Sequence, residues 1–141
     1  MNTTVVDRPR ITDWFALTAL VGRVGFSALF LEAGVGKLLA PSATIGYIES
    51  AGMPFPVLSL WGAIFVEIVV TLALLAGYKV RWTATTLALF CVATAAIFHA
   101  NWSDHDQLVQ FLKNIAIAGG MLHVALVGGG RYSLDSRRST G

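Results

Sequence analysis

Four long apolar runs dominate the chain, at about 14–38, 55–77, 82–99 and 108–127, with short polar stretches between them. A helix needs about 20 apolar residues to cross a hydrocarbon core of ~30 Å, so each run is predicted to be a membrane-spanning helix. The linker "APSATIGYIESAGMPFP" carries Pro41, Gly52, Pro54 and Pro56. A proline near the start and a glycine near the end bracket a short helix over 42–50. It is too short and too polar to span, and is expected in the membrane interface. "GYKVR" is a tight link, and "GGGRYS" ends the fourth run. "NWSDHDQ" offers Ser103 or Asp104 as an N-cap, with Asp106 in the first turn. Arg8 and Arg10 precede the first run as they would a signal peptide. Arg23 interrupts the run, and the run is long for that role, so it reads as an uncleaved helix. The layout is an N-terminal tail (1–13), a four-helix domain (14–128) and a basic C-terminal tail (129–141).

Composition agrees. Of 141 residues, 55% are hydrophobic and only 13% charged, about half the charged share of soluble domains. The expected fold is an all-α integral membrane four-helix bundle. A net charge of +2, with the basic residues scattered, excludes a nucleic-acid-binding surface. A single cysteine, Cys91, excludes an internal disulfide and a CxxC redox pair; it reads as a small buried hydrophobe. "GVGK" lacks the spacing and the preceding strand of a phosphate loop, and no dinucleotide motif is present. Seven basic residues fall on one side of the bundle: Arg8, Arg10, Lys79, Arg81, Arg131, Arg137 and Arg138. The opposite loops hold Glu49, Asp104 and Asp106. Excess Lys and Arg mark the cytoplasmic side, so both termini are predicted to be cytoplasmic. Trp14, Trp61, Trp82 and Trp102 lie at or near span ends, as an aromatic belt requires.

The charges inside the spans are the functional signal, because ionisable groups in lipid are costly and face the bundle interior. At 1.5 Å per residue, Arg23 lies about 13 Å above the cytoplasmic edge and Glu67 about 12 Å above it. An Arg23–Glu67 ion pair is therefore predicted between the first two spans, with Thr71 one turn on to add a hydrogen bond. Near the other face, Glu32 lies about 27 Å up, His99 about 25 Å, and Lys113 about 6 Å below the edge. Asn114 adjoins Lys113, and Lys37 is at the rim. Three helices thus bring polar groups to one level, a candidate pocket or proton-handling site. Glu32 and Lys37 point about 140° apart on their helix, and Glu32 is expected to take the interior pairing. His99 and His123 differ in depth by about 15–20 Å, too far to share a haem; His123 reads as a hydrogen-bonded packing residue. His99, Asp104, His105 and Asp106 have no recognised metal-ligand spacing. No haem, flavin or metal site is evident.

Several pieces recur together: "FLEAGVGKLLAP" (30–41), "GMPFP" (52–56), a mid-helix Glu67, "LLAGYKVR" (74–81), "FHANW" (98–102), "FLKNIAIAGGML" (111–122) and "GGGRYSLD" (128–135). In this order they resemble the DoxX family of small four-helix bacterial membrane proteins, over about residues 23–135. The resemblance implies a multi-pass protein of the bacterial inner membrane, often a subunit of a redox assembly. Related subunits occur in a thiosulfate:quinone oxidoreductase, and in a membrane complex with a sulfurtransferase and a superoxide dismutase. Lys37, Glu67, His99, Lys113 and Asn114 fall on the family's polar positions.

Two functions follow as expectations. The first is a quinone-interacting oxidoreductase subunit. Glu67, His99 and Lys113 would carry its proton chemistry, and Glu32, Lys37 and Asn114 would bind the quinone. The second is a non-catalytic anchor or organising subunit for a soluble redox or detoxification partner. Either sits in a lipid bilayer with protein partners, and self-association is compatible with both. Nothing in the chain reads as an electron carrier.

Overall fold

The computed structural model describes residues 11–138. Arg8 and Arg10 of the N-terminal tail lie outside the described residues. The described chain is helical throughout, with no strand. Helix α1 runs Ile11–Leu39 and α2 Pro41–Ser50. The second span, Pro56–Ala76, has three parts: α3 (Pro56–Ile64), a π-helical segment (Phe65–Val70) and α4 (Thr71–Ala76). Then come α5 (Val80–Phe98), α6 (His105–Val127) and a short α7 (Leu134–Arg138). Asp104 is the N-cap of α6, its carboxylate accepting from the Asp106 amide at 2.9 Å.

Four helices are long and apolar enough to span: α1, the second span, α5 and α6. Consecutive spans run antiparallel, so the start of α1 and the end of α6 lie at one end of the bundle (the termini end). The connection from α1 through α2 to the second span, and the α5–α6 link, lie at the other (the loop end). α6 packs chiefly on α5, and α1 on the second span, while α1 and α6 barely touch. Their seam closes where Phe26 sits against Gly120; a Cβ on Gly120 would come within 2.6 Å of the ring. The core packs Phe30, Leu74 and Met121 around a small-residue face of α5, Ala84, Ala88 and Cys91. Small residues let helices approach closely in lipid, and Cys91 is the buried small hydrophobe expected of it.

The link from the second span to α5 is built on Gly77. Its φ of 75° is left-handed. The Gly77 amide donates to the Leu74 carbonyl and the Tyr78 amide to the Ala73 carbonyl, both at 2.9 Å. That is a Schellman ending, which glycine allows without steric cost. α5 then begins without a side-chain cap of its own. Asp135 supplies one from the far end of the chain, its two oxygens accepting from the Lys79 and Val80 amides at 2.7 and 2.8 Å. The first residues after α6 are thus no trailing tail: Gly130 packs on Ala16 and Arg131 pairs with Asp13 at 2.7 Å.

Gly77→Ala is expected to destabilise the bundle by about 1–3 kcal/mol, from left-handed strain and an overpacked contact with Arg23 and Ser133. Gly46→Ala in α2, where a Cβ meets open space, should be close to neutral. Thermal unfolding in one detergent compares the two.

Candidate functional site

Arg23 and Glu67, at similar backbone depth, do not pair. Arg23 is fully buried, at 0% exposure. Its Nη1 donates to the Leu74 and Leu75 carbonyls at 3.4 and 3.2 Å, and its Nη2 to the Tyr132 carbonyl. It serves as a cation at the C-terminus of the second span, where carbonyls lack helical partners. Glu67 pairs instead with Lys37, Oε1 to Nζ at 2.7 Å. The physical reason is side-chain direction. Helical side chains lean toward the N-terminus of their own helix. In α1 that carries Arg23 and Lys37 toward the termini end. In the antiparallel second span it carries Glu67 toward the loop end. Arg23 and Glu67 therefore diverge, while Lys37 and Glu67 converge. The Lys37 ammonium also reaches back to the Ala33 carbonyl at 3.5 Å. The interior pairing expected of Glu32 falls to Lys37, and Glu32 is exposed.

Two features seat the pair. Gly34 is buried against the second span, and a Cβ there would lie 2.7 Å from Ile68 Cγ1 and 3.0 Å from Glu67 Cβ. Only glycine lets α1 come this close to Glu67. Glu67 itself lies in the π-helical segment. Such segments are rare and concentrate at functional sites. Thr71 does not reach the carboxylate; its hydroxyl donates to the Val66 carbonyl at 3.3 Å.

The pair opens onto a cavity of about 670 Å³ at the loop end of the bundle. Glu32, Lys37, Glu67, His99, Lys113 and Asn114 all line it. The polar residues singled out near that face thus share one wall system, and Arg23 is not part of it. The rest of the lining is mostly apolar, including Phe30, Val66, Phe90, Ile97 and Ile117. α2 lies across the loop end. Its Ile48 packs with Leu60 and Ile64, and Tyr47 stacks on Phe98 at 5.3 Å.

Around the cavity the polar groups differ in how far they are satisfied. The Asn114 amide donates to the Gln110 carbonyl at 3.0 Å and accepts weakly from Thr94 Oγ1 at 3.4 Å. His99 Nδ1 is 2.8 Å from Gln107 Oε1. Lys113 is exposed on the cavity rim. Glu67 Oε2 is buried with no hydrogen-bond partner. Thr94 and Gln110 were not among the expected site residues; Gln110 lies one turn before Asn114, and Thr94 lies five residues before His99.

A second groove, of about 560 Å³, lies between α1 and α6 toward the termini end. It is lined by Trp14, Phe15, Phe26 and His123, among others. His123 is exposed there, so the hydrogen-bonded packing role expected of it is not observed. Among the described residues, no three His, Cys, Asp or Glu side chains gather into a metal-binding group.

Four apolar spans with a partly buried ion pair beside a largely apolar cavity define a small multi-pass helical membrane protein. The chain belongs to the DoxX family, whose pattern matches residues 18–100. It is 39% identical over 116 residues to Inner membrane protein YqjF of Escherichia coli (strain K12), covering 82% of this chain and 88% of that protein. It is 29% identical over 123 residues to Inner membrane protein YphA of the same organism, covering 84% and 88%. No solved structure matches the chain. The spans and these relatives make it a multi-pass protein of the inner membrane.

Removing one member of a buried pair leaves the other charge uncompensated, at a cost of about 3–5 kcal/mol. Lys37→Met is therefore expected to destabilise strongly, and Lys37→Met with Glu67→Gln to recover most of the loss. A swap of Lys37→Glu with Glu67→Lys should rescue either single change. Arg23→Glu with Glu67→Arg should not. Folded yield and melting temperature in detergent read all of these.

Proposed function

We propose that this chain is the membrane subunit of a redox assembly, and that its loop-end cavity takes the head group of a quinone-class molecule from the bilayer. One observation carries the reading: a buried carboxylate, paired at one oxygen and unpartnered at the other, on the wall of a largely apolar cavity. A cavity of about 670 Å³ is of the size that holds a small organic ligand. Its apolar lining suits a ring and the first part of a hydrocarbon tail. Its few convergent polar groups suit a head with oxygen at its edge.

In this reading Glu67 holds a proton-accepting oxygen against the head, while its other oxygen pairs with Lys37. Lys113, Asn114 and His99 supply further hydrogen bonds from α6 and the end of α5, and Glu32 flanks the mouth. The chain's own share is binding and proton handling. Electrons come from a partner subunit. A purely organising subunit would need no cavity and no unpartnered oxygen, so that reading is the weaker one.

The test is a titration of purified protein in nanodiscs with a short-tail ubiquinol, kept reduced under anaerobic conditions, followed by tryptophan fluorescence. Wild-type protein should bind saturably, and Lys37→Met with Glu67→Gln should bind at least about tenfold more weakly, given what a lost buried hydrogen-bond partner costs. Equal binding by both would end the proposal.

Orientation belongs to the same reading. Lys79, Arg81, Arg131 and Arg137 lie at the termini end, and Glu49, Asp104 and Asp106 at the loop end. The excess of basic residues at the termini end supports a cytoplasmic location for both termini, with the cavity then in the outer half of the bilayer. Impermeant thiol labelling of intact spheroplasts should then modify a cysteine introduced at Ser103 and spare one at Ser136. The reverse pattern would invert the orientation.

A further inference from the structure

We infer that the cavity selects a head group presenting an O–H donor to Glu67, so that the dihydroxy, reduced form of a quinone-class ligand binds in preference to the dicarbonyl form. The inference rests on the reading of the cavity as a quinone-class site and adds a direction to it.

The argument turns on which wall groups can tell a hydroxyl from a carbonyl. An ammonium only donates, and a hydroxyl oxygen accepts from it as readily as a carbonyl oxygen does. Lys37 and Lys113 therefore do not discriminate. Asn114 carries both an amide donor and an acceptor oxygen, so it meets either form. His99 is tied to Gln107 and can present either a donor or an acceptor. Glu67 Oε2 differs from all of these. Oε1 lies 2.7 Å from the Lys37 ammonium, and the carboxylate of such an ion pair only accepts. The residue is 4% exposed, and Oε2 has no partner.

A buried acceptor left unmet carries its full desolvation cost, and a ligand that meets it recovers that cost. A carbonyl brought to Oε2 sets lone pairs against a charged oxygen and meets nothing. A hydroxyl there forms a charge-assisted hydrogen bond, one of the stronger kinds. Sites that hold a buried group for a ligand hydroxyl reject the analogue lacking it far more strongly than apolar pockets reject a missing methylene. The neighbouring wall adds no competing donor. Cys91 offers only a weakly donating thiol, and the Thr94 hydroxyl is committed to the carbonyls of Phe90 and Cys91 at 3.0 Å. A site that holds the reduced form tenfold more tightly raises the two-electron potential of the bound couple by about 30 mV. It thereby makes the bound oxidised form a better electron acceptor.

The probes are a short-tail ubiquinone and its chemically reduced quinol, titrated anaerobically into the full chain in nanodiscs. Wild-type protein should bind the quinol at least tenfold more tightly. Glu67→Gln places an amide donor at one of the two oxygen positions and should narrow or reverse that ratio. Lys37→Met with Glu67→Gln, a neutral pair of similar shape, gives the same reading if the single variant folds poorly. Lys113→Ala should weaken both forms together and leave the ratio unchanged. Equal affinity of wild-type protein for the two forms, or a ratio indifferent to Glu67→Gln, overturns the selectivity while leaving the quinone-class reading intact. Binding of neither form overturns both.

Discussion

An ammonium and a carboxylate 2.7 Å apart inside an apolar bundle constrain everything around them. Neither group can be left alone in lipid, where water is not available to solvate it. α1 must therefore approach the second span closely at that level. Gly34 permits it, since any larger residue would collide with Ile68 and the Glu67 stem. The π-helical segment from Phe65 to Val70 adds a wider turn where Glu67 leaves the backbone. The helix therefore gives up regular hydrogen bonding at the place where its one buried carboxylate must be aimed. Packing, backbone irregularity and charge all meet at a single contact.

The other buried charge is handled differently, and the contrast divides the molecule into two ends. Arg23 meets only carbonyl oxygens, at the close of the second span and at Tyr132. Asp135 completes the same region by capping α5 across more than fifty residues of sequence. These contacts tie the first span, the second span, α5 and the segment after α6 into one knot at the termini end. Among the described residues there, the Arg23 Nε and a nearby Ser27 hydroxyl are the buried side-chain polar atoms without a hydrogen-bond partner. At the loop end the polar groups face a cavity instead. Under the proposed reading the termini end is the structural end and the loop end the one that faces a ligand.

The four spans, the short helix after Pro41 and the Asp104 cap were legible because each rests on a local pattern: run length, a proline and glycine bracket, an acidic residue before a helix. The cavity-lining residues near the loop end were legible as a level, because depth follows from counting residues. The pairing of the charges was not legible from depth alone. Arg23 and Glu67 have backbones at similar heights, but their side chains lean in opposite directions on antiparallel helices. A second signal was present and unused. Residues 23, 27, 30, 34 and 37 alternate in steps of four and three, the spacing of one buried seam. Arg23 and Lys37 are 14 residues apart, within about 40° of the same face, whereas Glu32 lies off it. Glycine at 34 on that seam marks close approach. The π-helical segment left no sequence mark: "FVEIVV" reads as ordinary apolar helix.

A buried salt bridge is weak evidence for stability, because well-packed apolar residues of similar size often do as well or better. Lys37 and Glu67 cannot then be explained by the need to hold α1 to the second span. Phe30, Leu74 and their neighbours already hold the same helices together without any charge to desolvate. The pair also leaves Glu67 half satisfied, which a purely structural bridge would tend to avoid. A carboxylate on a cavity wall and missing one hydrogen bond fits the proposed reading, in which a ligand supplies that bond and the pair serves binding rather than helix association alone.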